Sequence, residues 1–229
     1  ARLESSPSGL FVLAYADADL ALQRRAGVQA PLTPTSFSVD ESLFPVTPEE
    51  TPSPSGTPTP AGDSPLPTPE SLIRLTGAID GLAWPSDTGI SEKDLDFIAA
   101  GGYTRTLTAS ASIAGTIGAS PNVSIGDHSV TVSDGPISEL LRTAAAAETD
   151  TDWSCAMASL SGLLSVTASE HPGATVVATL ARDGAVTGPS ISRTLNALDS
   201  LLWVKPTTLD AALAVTPVPA KLAEHDDAS

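Results

Sequence analysis

Acidic side chains follow several apolar segments of this 229-residue chain, and they are its first candidates for chemistry. Asp17 and Asp19 come directly after one apolar segment, and Asp87 and Asp183 follow two others. Paired carboxylates that flank a sugar ring, roughly 5 to 9 Å apart, act as general acid and base in glycosidases. Asp17 with Asp87 or Asp183 could form such a pair. Alternatively, Asp17 and Asp19 cap the next helix, and we favour the cap.

Aromatic and basic side chains lie near the same segment ends. Trp84 and Trp203 stand at the ends of two predicted strands, where a tryptophan either stacks on a sugar ring or covers the core, and both interpretations stay open. In α/β folds, ligands bind at the edge of the sheet where the parallel strands end. The predicted binding rim therefore consists of Tyr15, Asp17, Asp19, Trp84, Asp87, Arg182, Asp183, Trp203 and Lys205.

The residue types offer little for metal or nucleophile chemistry. His128, His171 and His225 are scattered along the chain, whereas a zinc site needs three converging ligands. We expect His128 to be an exposed turn residue. The single cysteine, Cys155, lies in an apolar stretch without a basic neighbour, so we expect it to pack in the core. The sequence predicts no catalytic residues, no metal and no cofactor.

The charge balance limits the classes of partner. Twenty-seven acidic and eleven basic residues give a formal net charge of −16 at pH 7. Binding to nucleic acid or to an anionic membrane depends on Lys and Arg, so we expect neither. No run of about twenty apolar residues indicates a membrane span, and we expect no direct membrane insertion. The chain begins at Ala1 without a methionine or a leader, which favours a piece cut from a longer protein over a processed product.

A proline-rich tract divides the chain. Eleven of the twenty prolines lie between Pro31 and Pro69, among Thr, Ser and acidic residues with few apolar side chains to bury. Because proline removes backbone donors, the tract predicts a disordered insertion over 31–67. It is either a neutral loop expansion, which we favour, or a spacer open to O-glycosylation. Around it we expect one α/β domain and a polar tail, at 1–30 with 68–220 and at 221–229.

Strand and helix patterns alternate on both sides of this tract. Short apolar or β-branched segments predict parallel strands at 9–15, 81–84, 103–108, 174–180 and 202–204. Periodic apolar positions and capping residues predict helices at 17–25, 68–79, 91–101, 134–147 and 151–169, and further helices from 189 and from 208. The alternation indicates an α/β fold with a mainly parallel sheet, or an incomplete (β/α) barrel with helical crossovers.

Several details of these elements are specific enough to test. The alternating residues around Gly126 and Asp127 predict a β-hairpin, which we place as a decoration outside the parallel sheet. In the first helix we expect Leu20 and Leu22 to point inward. The helix at 151–169 is expected to bury one stripe, Trp153, Met157, Leu160 and Leu164. The helix from 189 is expected to cover a sheet face with Ile191, Leu195, Leu198 and Leu202.

Three short motifs resemble one protein family. They are Tyr15-Ala16-Asp17-Ala18-Asp19-Leu20, then Gly81-Leu82-Ala83-Trp84-Pro85-Ser86-Asp87 with Leu95 and Ala99-Ala100-Gly101, then Leu201-Leu202-Trp203-Val204-Lys205-Pro206-Thr207-Thr208-Leu209. The chain resembles the large secreted, membrane-anchored envelope proteins of high-GC Gram-positive bacteria, whose function is unassigned and whose gene often neighbours the lipid II flippase gene. The resemblance covers most of the chain outside the proline-rich tract, which departs from the tight loop expected there.

This resemblance implies an extracytoplasmic module in a cell-wall context. It also implies a core similar in outline to polysaccharide deacetylase and glycosidase barrels, and it supplies no catalytic residues. We therefore expect a non-catalytic module that binds cell-wall glycan or assembles with an envelope protein. The alternative is a cryptic carbohydrate-active enzyme, a glycoside hydrolase or deacetylase, that uses the strand-end carboxylates.

Overall fold

A computed structural model of the chain describes residues 9–33, 75, 77–86, 89–115, 118–180 and 188–224. Most of the predicted insertion and of the predicted helix at 68–79 lies outside the described residues. The same holds for Asp87, Arg182, Asp183 and His225.

Five short strands form one mixed sheet. They are β1 (Leu82–Ala83), β2 (Arg105–Ala109), β3 (Asn122–Ile125), β4 (His128–Ser133) and β5 (Val218–Pro219), in the spatial order β1-β2-β4-β3-β5. The pairs β1–β2, β2–β4 and β3–β5 are parallel, and β3–β4 is antiparallel. The prediction of an α/β fold with mostly parallel strands is confirmed. The incomplete barrel stays a prediction.

Six α-helices accompany the sheet in the described part of the chain. They are α1 (Leu20–Arg25), α2 (Glu92–Ala100), α3 (Gly135–Ala146), α4 (Asp150–Glu170), α5 (Gly188–Asp199) and α6 (Leu209–Leu213). Side-chain oxygens begin five of them, because each cap accepts a backbone N–H that the first helical turn leaves unpaired. These caps are Asp19, Ser91, Asp134, Thr149 and Thr208. Within the described residues, two 3₁₀ helices lie at Tyr15–Asp17 and Ser110–Ser112.

The apolar residues form two cores. In the first, Leu95 and Ile98 of α2 cluster with Val123, Val130 and Val132 of the central strands. The second lies among the helices, because α3 packs against both α4 and α5. The stripe predicted for α4 is confirmed: two of its side chains are buried and two pack against that core, namely Met157, Leu160, Trp153 and Leu164.

A polar clamp fixes α6 to the sheet. The buried side-chain amide of Asn122 donates to the carbonyl oxygens of Ala212 and Val215, both at 2.8 Å. The Arg105 guanidinium donates to the Leu213 carbonyl at 2.7 Å and to Asn122 Oδ1 at 3.2 Å. These carbonyls lie in the last turn of α6 and just after it, where regular helical hydrogen bonding ends, so the clamp supplies them with additional donors.

The hairpin around Gly126 and Asp127 is part of the sheet, which corrects its predicted place outside it. Strand β4 pairs in parallel with β2 from Ser129 to Ser133, and β3 pairs with β5. The reason is burial: the first core needs Val130 and Val132, which a hairpin outside the sheet would leave in water.

Three predicted strands are not formed as expected. Residues 9–15 contribute a single parallel bridge, between Phe11 and Ile79, and 202–204 lies in a turn. Residues 174–180 pair with none of the described strands, because their backbone bonds to loops and to the start of α3 instead. A high β-propensity means that the side chains of a segment suit a pleated, half-buried surface. It does not show that another strand is available to pair with the segment.

Several predicted burial patterns are also corrected. Leu22 is 63 % exposed, because α1 has only six residues and turns a single face to α2. Helix α5 packs on α3 instead of on the sheet, and Leu195 is exposed. Leu202 is also exposed, because α5 ends at Asp199 and Leu202 lies in the turn that follows it. Cys155 is exposed, since it lies beside the α4 stripe rather than on it. His128 begins β4, and its Nε2 lies 3.0 Å from Asp96 Oδ1.

Candidate functional site

Parallel pairing brings several strand ends to one edge of the sheet. The bridge at Phe11 and the strands β1, β2 and β4 all run in one direction, so the segments that follow them start at the same edge. The segment after Phe11 reaches the segment after β1, because Asp19 Oδ2 accepts the Ser86 N–H at 3.0 Å. We call the group Tyr15, Asp17, Asp19, Trp84 and Ser86 the rim.

Asp19 holds the rim together and starts α1. Its Oδ1 accepts the Leu22 N–H at 3.0 Å, which confirms the predicted helix cap. Burial raises the pKa of the Asp19 carboxyl, but hydrogen bonds from Ser86 and Leu22 outweigh burial and leave that pKa below its ordinary value. Asp19 is therefore ionised at neutral pH and is a poor proton donor for acid catalysis.

Asp17 has an unusual backbone. Its φ of 55° is the one positive value at a non-glycine residue in the described part of the chain. It ends the 3₁₀ helix Tyr15–Asp17, and its N–H donates to the Ala14 carbonyl at 2.8 Å. Aspartate tolerates this left-handed region better than most residues. Since Asp19 is the cap of α1, the predicted capping role of Asp17 is wrong.

The two aromatic side chains of the rim differ in exposure. Tyr15 is 46 % exposed at the edge. Trp84 is half-buried, and its ring centroid lies 6.2 Å from that of Phe11 at a tilted angle of 48°. Trp84 thus packs against Phe11 near the N-terminal end of the described chain. The side chain of Tyr15 is the more accessible aromatic surface of the rim.

The other predicted rim residues do not join this group. Trp203 and Lys205 follow α5 in a turn and the stretch after it, because no strand forms at 202–204, and both side chains are exposed. Asp87, Arg182 and Asp183 lie outside the described residues, so the carboxylate pairs of Asp17 stay predictions.

A groove that no sequence pattern predicts lies elsewhere on the molecule. It has a volume of about 640 Å³ and is open to solvent. Its walls are the start of α2, the β3–β4 turn and residues 220–224, and its charged side chains are Glu92, Lys93, Lys221 and Glu224. Residues 221–224, predicted as the beginning of a polar tail, pair instead with the segment after β2 through the bridge between Leu222 and Ile113. None of the rim residues lines this groove.

A buried ion cluster joins α1 to α2. Asp94 has no exposed surface, and its carboxylate contacts Arg24 and Arg25 and accepts the Ser91 N–H at 2.9 Å. Burial raises the pKa of Asp94, but the hydrogen bonds from Arg24 and Ser91 outweigh it, so the pKa lies below its ordinary value. The capping-box pattern that starts at Ser91 identifies Asp94 from the sequence as a residue of the helix start. No local sequence pattern indicates that Arg24 and Arg25 are its ion-pair partners.

The acidic and histidine side chains do not gather into a metal site. Among the residues that the structure describes, no group of three His, Cys, Asp or Glu side chains could hold a metal ion. Within the same residues, no helix is both long enough and apolar enough to cross a membrane.

Comparison with protein-family models, with curated proteins and with solved structures gives no match to this chain.

Proposed function

We propose that the chain is a non-catalytic module of an extracytoplasmic envelope protein and that its rim binds cell-wall glycan. One observation carries the proposal: both carboxylate oxygens of Asp19 accept backbone N–H groups, while Tyr15 exposes its aromatic ring at the same edge. The best-positioned carboxylate thus has a structural task, and the accessible side chains suit binding rather than proton transfer.

The chemistry of the rim fits a neutral or cationic sugar. Aromatic rings stack on the apolar face of a sugar ring, and the exposed carboxylate of Asp17 can accept hydrogen bonds from hydroxyl or ammonium groups. A net charge of −16 disfavours anionic ligands. The extracytoplasmic location and the cell-wall context follow from the resemblance of the three sequence motifs.

We include an incomplete (β/α) barrel in the proposal. Strands β1 and β2 are parallel, and α2 connects them, which is the repeating unit of such barrels. The antiparallel hairpin of β3 and β4 then replaces the next unit.

Calorimetric titration with soluble peptidoglycan fragments tests the glycan site. Replacing Tyr15 by alanine removes the exposed ring, and we expect the affinity to fall about tenfold, which corresponds to about 1.4 kcal/mol. Trp203→Ala is the matched control, because Trp203 is 45 % exposed and lies in the turn after α5. We expect the control to bind like the unmodified chain.

Enzyme assays on the same fragments test the non-catalytic part. Hydrolysis or deacetylation that disappears in Asp17→Asn would contradict the proposal that the module is non-catalytic. It would favour the alternative of a carbohydrate-active enzyme, in which Asp17 has a partner carboxylate. Absence of binding to every fragment would count against the glycan site and leave protein assembly as the function.

A further inference from the structure

The edge of the sheet that carries the rim continues from β1 to β2. The pair of Ala83 with Thr106 is the last one between these strands, and Ser86 and Ala109 each come three residues after it. Because parallel neighbours advance together, the rim residue Ser86 and the end of β2 stand at one level of the edge. Adjacent strands lie about 4.8 Å apart, so the end of β2 is the next step along the edge from the rim.

The chain turns in the same way at both places. Before α1 it forms the 3₁₀ helix Tyr15–Asp17, and after β2 it forms the 3₁₀ helix Ser110–Ser112. Ser112 is buried, Ser110 is half-buried and Ala111 is exposed. We call Ser110 and Ala111 the extension of the rim. A short turn thus carries accessible residues along the edge at the end of β2, as it does in the rim.

The hydroxyl group of Ser110 is fixed in place. Its Oγ accepts the Gly135 N–H at 2.9 Å, where β4 gives way to α3. A Cβ at position 135 would lie 3.0 Å from this Oγ, so the absence of a side chain at Gly135 allows the close contact. Within the described residues, the Ser110 O–H donates no hydrogen bond, so it can donate one to a ligand at the edge.

A chain of sugars matches this arrangement better than a single sugar does. Each pyranose ring is about as long as the spacing of neighbouring strands, so a sugar chain that crosses the strand ends places one ring at each step. Every ring carries hydroxyl groups that the Ser110 O–H can bind, and neither residue of the extension is charged. Tyr15 supplies the aromatic contact in the rim, on a different segment, so one ring cannot make both contacts.

Building on the proposed glycan site, on which this inference rests, we propose that the ligand is an unbranched oligosaccharide of at least three rings that lies across the strand ends. One ring stacks on Tyr15, the next passes Ser86, and the third accepts the hydrogen bond from Ser110 above Ala111. The rim and its extension are then successive subsites. A single sugar or a disaccharide fills only the rim and binds more weakly.

Calorimetric titration with neutral N-acetylglucosamine oligomers of one to six rings tests the dependence on chain length. We expect the affinity to rise about tenfold from two rings to four and to level off beyond four. Equal affinity at every length would overturn the inference and leave the glycan site at Tyr15 in place. Absence of binding to every oligomer would also overturn it, and the titration with peptidoglycan fragments then decides the glycan site separately.

Two variants separate the extension from the rim. Ser110→Ala removes the donor and Ala111→Leu fills the space beside it, so we expect each to lower the affinity for four rings about fivefold and to leave that for two rings unchanged. Tyr15→Ala should weaken both. Ala100→Leu is the matched control, because Ala100 is exposed at the end of α2, before the start of β2 at the opposite edge. Full four-ring affinity in both extension variants, or an equal loss in the control, contradicts the extension.

Discussion

Asp94 keeps a full negative charge without exposed surface because two arginines of another helix surround it. A carboxylate in that position is tolerated only while its partners are present, since the loss of either side leaves an uncompensated charge. The same residue completes the capping box with Ser91. One side chain thus begins α2 and attaches α1 to it.

Asp94→Asn removes the charge and keeps the size of the side chain. We expect the free energy of unfolding to fall by about 2–4 kcal/mol, less than for fully buried pairs because Arg24 and Arg25 reach solvent. Denaturant unfolding measures this change. Asp96→Asn is the control on the same helix: its side chain is 73 % exposed, and we expect a change within about 0.5 kcal/mol. Equal effects of the two substitutions would contradict the role of the ion cluster.

Acid should weaken the fold through Asp94 and Asp19. Both carboxyl groups have pKa values below their ordinary values in the folded chain. Their contribution to stability is therefore complete above the unfolded pKa of about 3.9 and is lost as the pH falls through the lower folded values. Thermal unfolding between pH 6 and pH 2 measures the loss. The unfolding midpoint should fall less steeply with decreasing pH in Asp94→Asn than in the unmodified chain. An identical pH dependence in the two proteins would show that Asp94 does not contribute to the acid sensitivity.

At the scale of elements, Asn122 decides whether α6 stays on the sheet. Its amide satisfies carbonyls at the end of that helix, and its Oδ1 accepts from Thr131 and Arg105. A helix of five residues has little stability of its own, so its position depends on such contacts.

We expect Asn122→Ala to reduce the free energy of unfolding by about 2–4 kcal/mol, because several buried polar groups lose their partner together. Amide exchange of residues 209–219 should accelerate in this variant. Ser124→Ala on the same strand is the matched control and should change stability by less than about 0.5 kcal/mol. Unchanged exchange in 209–219 would show that α6 is held by other contacts.

Sequence patterns predict the helices better than the strands, for a physical reason. Caps are local, so Ser91, Asp134 and Thr208 mark helix starts that the structure confirms. Strand pairing depends on residues far away in the chain. The segment 174–180 has the composition of a strand, yet its backbone meets loops and the start of α3.

In the rim, too, the sequence predicts local contacts but not contacts between distant segments. The spacing of Asp19 from its helix predicts the cap, while its bond to Ser86 depends on the parallel bridge at Phe11. The groove beside α2 has no signal in the sequence, because residues from three distant segments line it.

For the whole molecule, the excess of acidic residues is the dominant electrostatic property. Like charges repel more strongly in the compact state than in the unfolded chain. Salt screens this repulsion, so we expect the midpoint of thermal unfolding to rise between 10 mM and 500 mM NaCl. KCl should give the same rise. A fall in the midpoint would mean that attractive ion pairs, such as those of Asp94, outweigh the repulsion.

The pairing of β3 with β5 has a consequence for biosynthesis. Val123 pairs with Val218, which is made much later, whereas the hairpin partner of β3 follows within a few residues. As the nascent chain leaves the ribosome, the hairpin can form early, and the outer side of β3 waits for the last strand. During that interval this side is open to chaperones or to misfolded partners, so the rate of translation beyond α5 governs how long the growing protein is vulnerable.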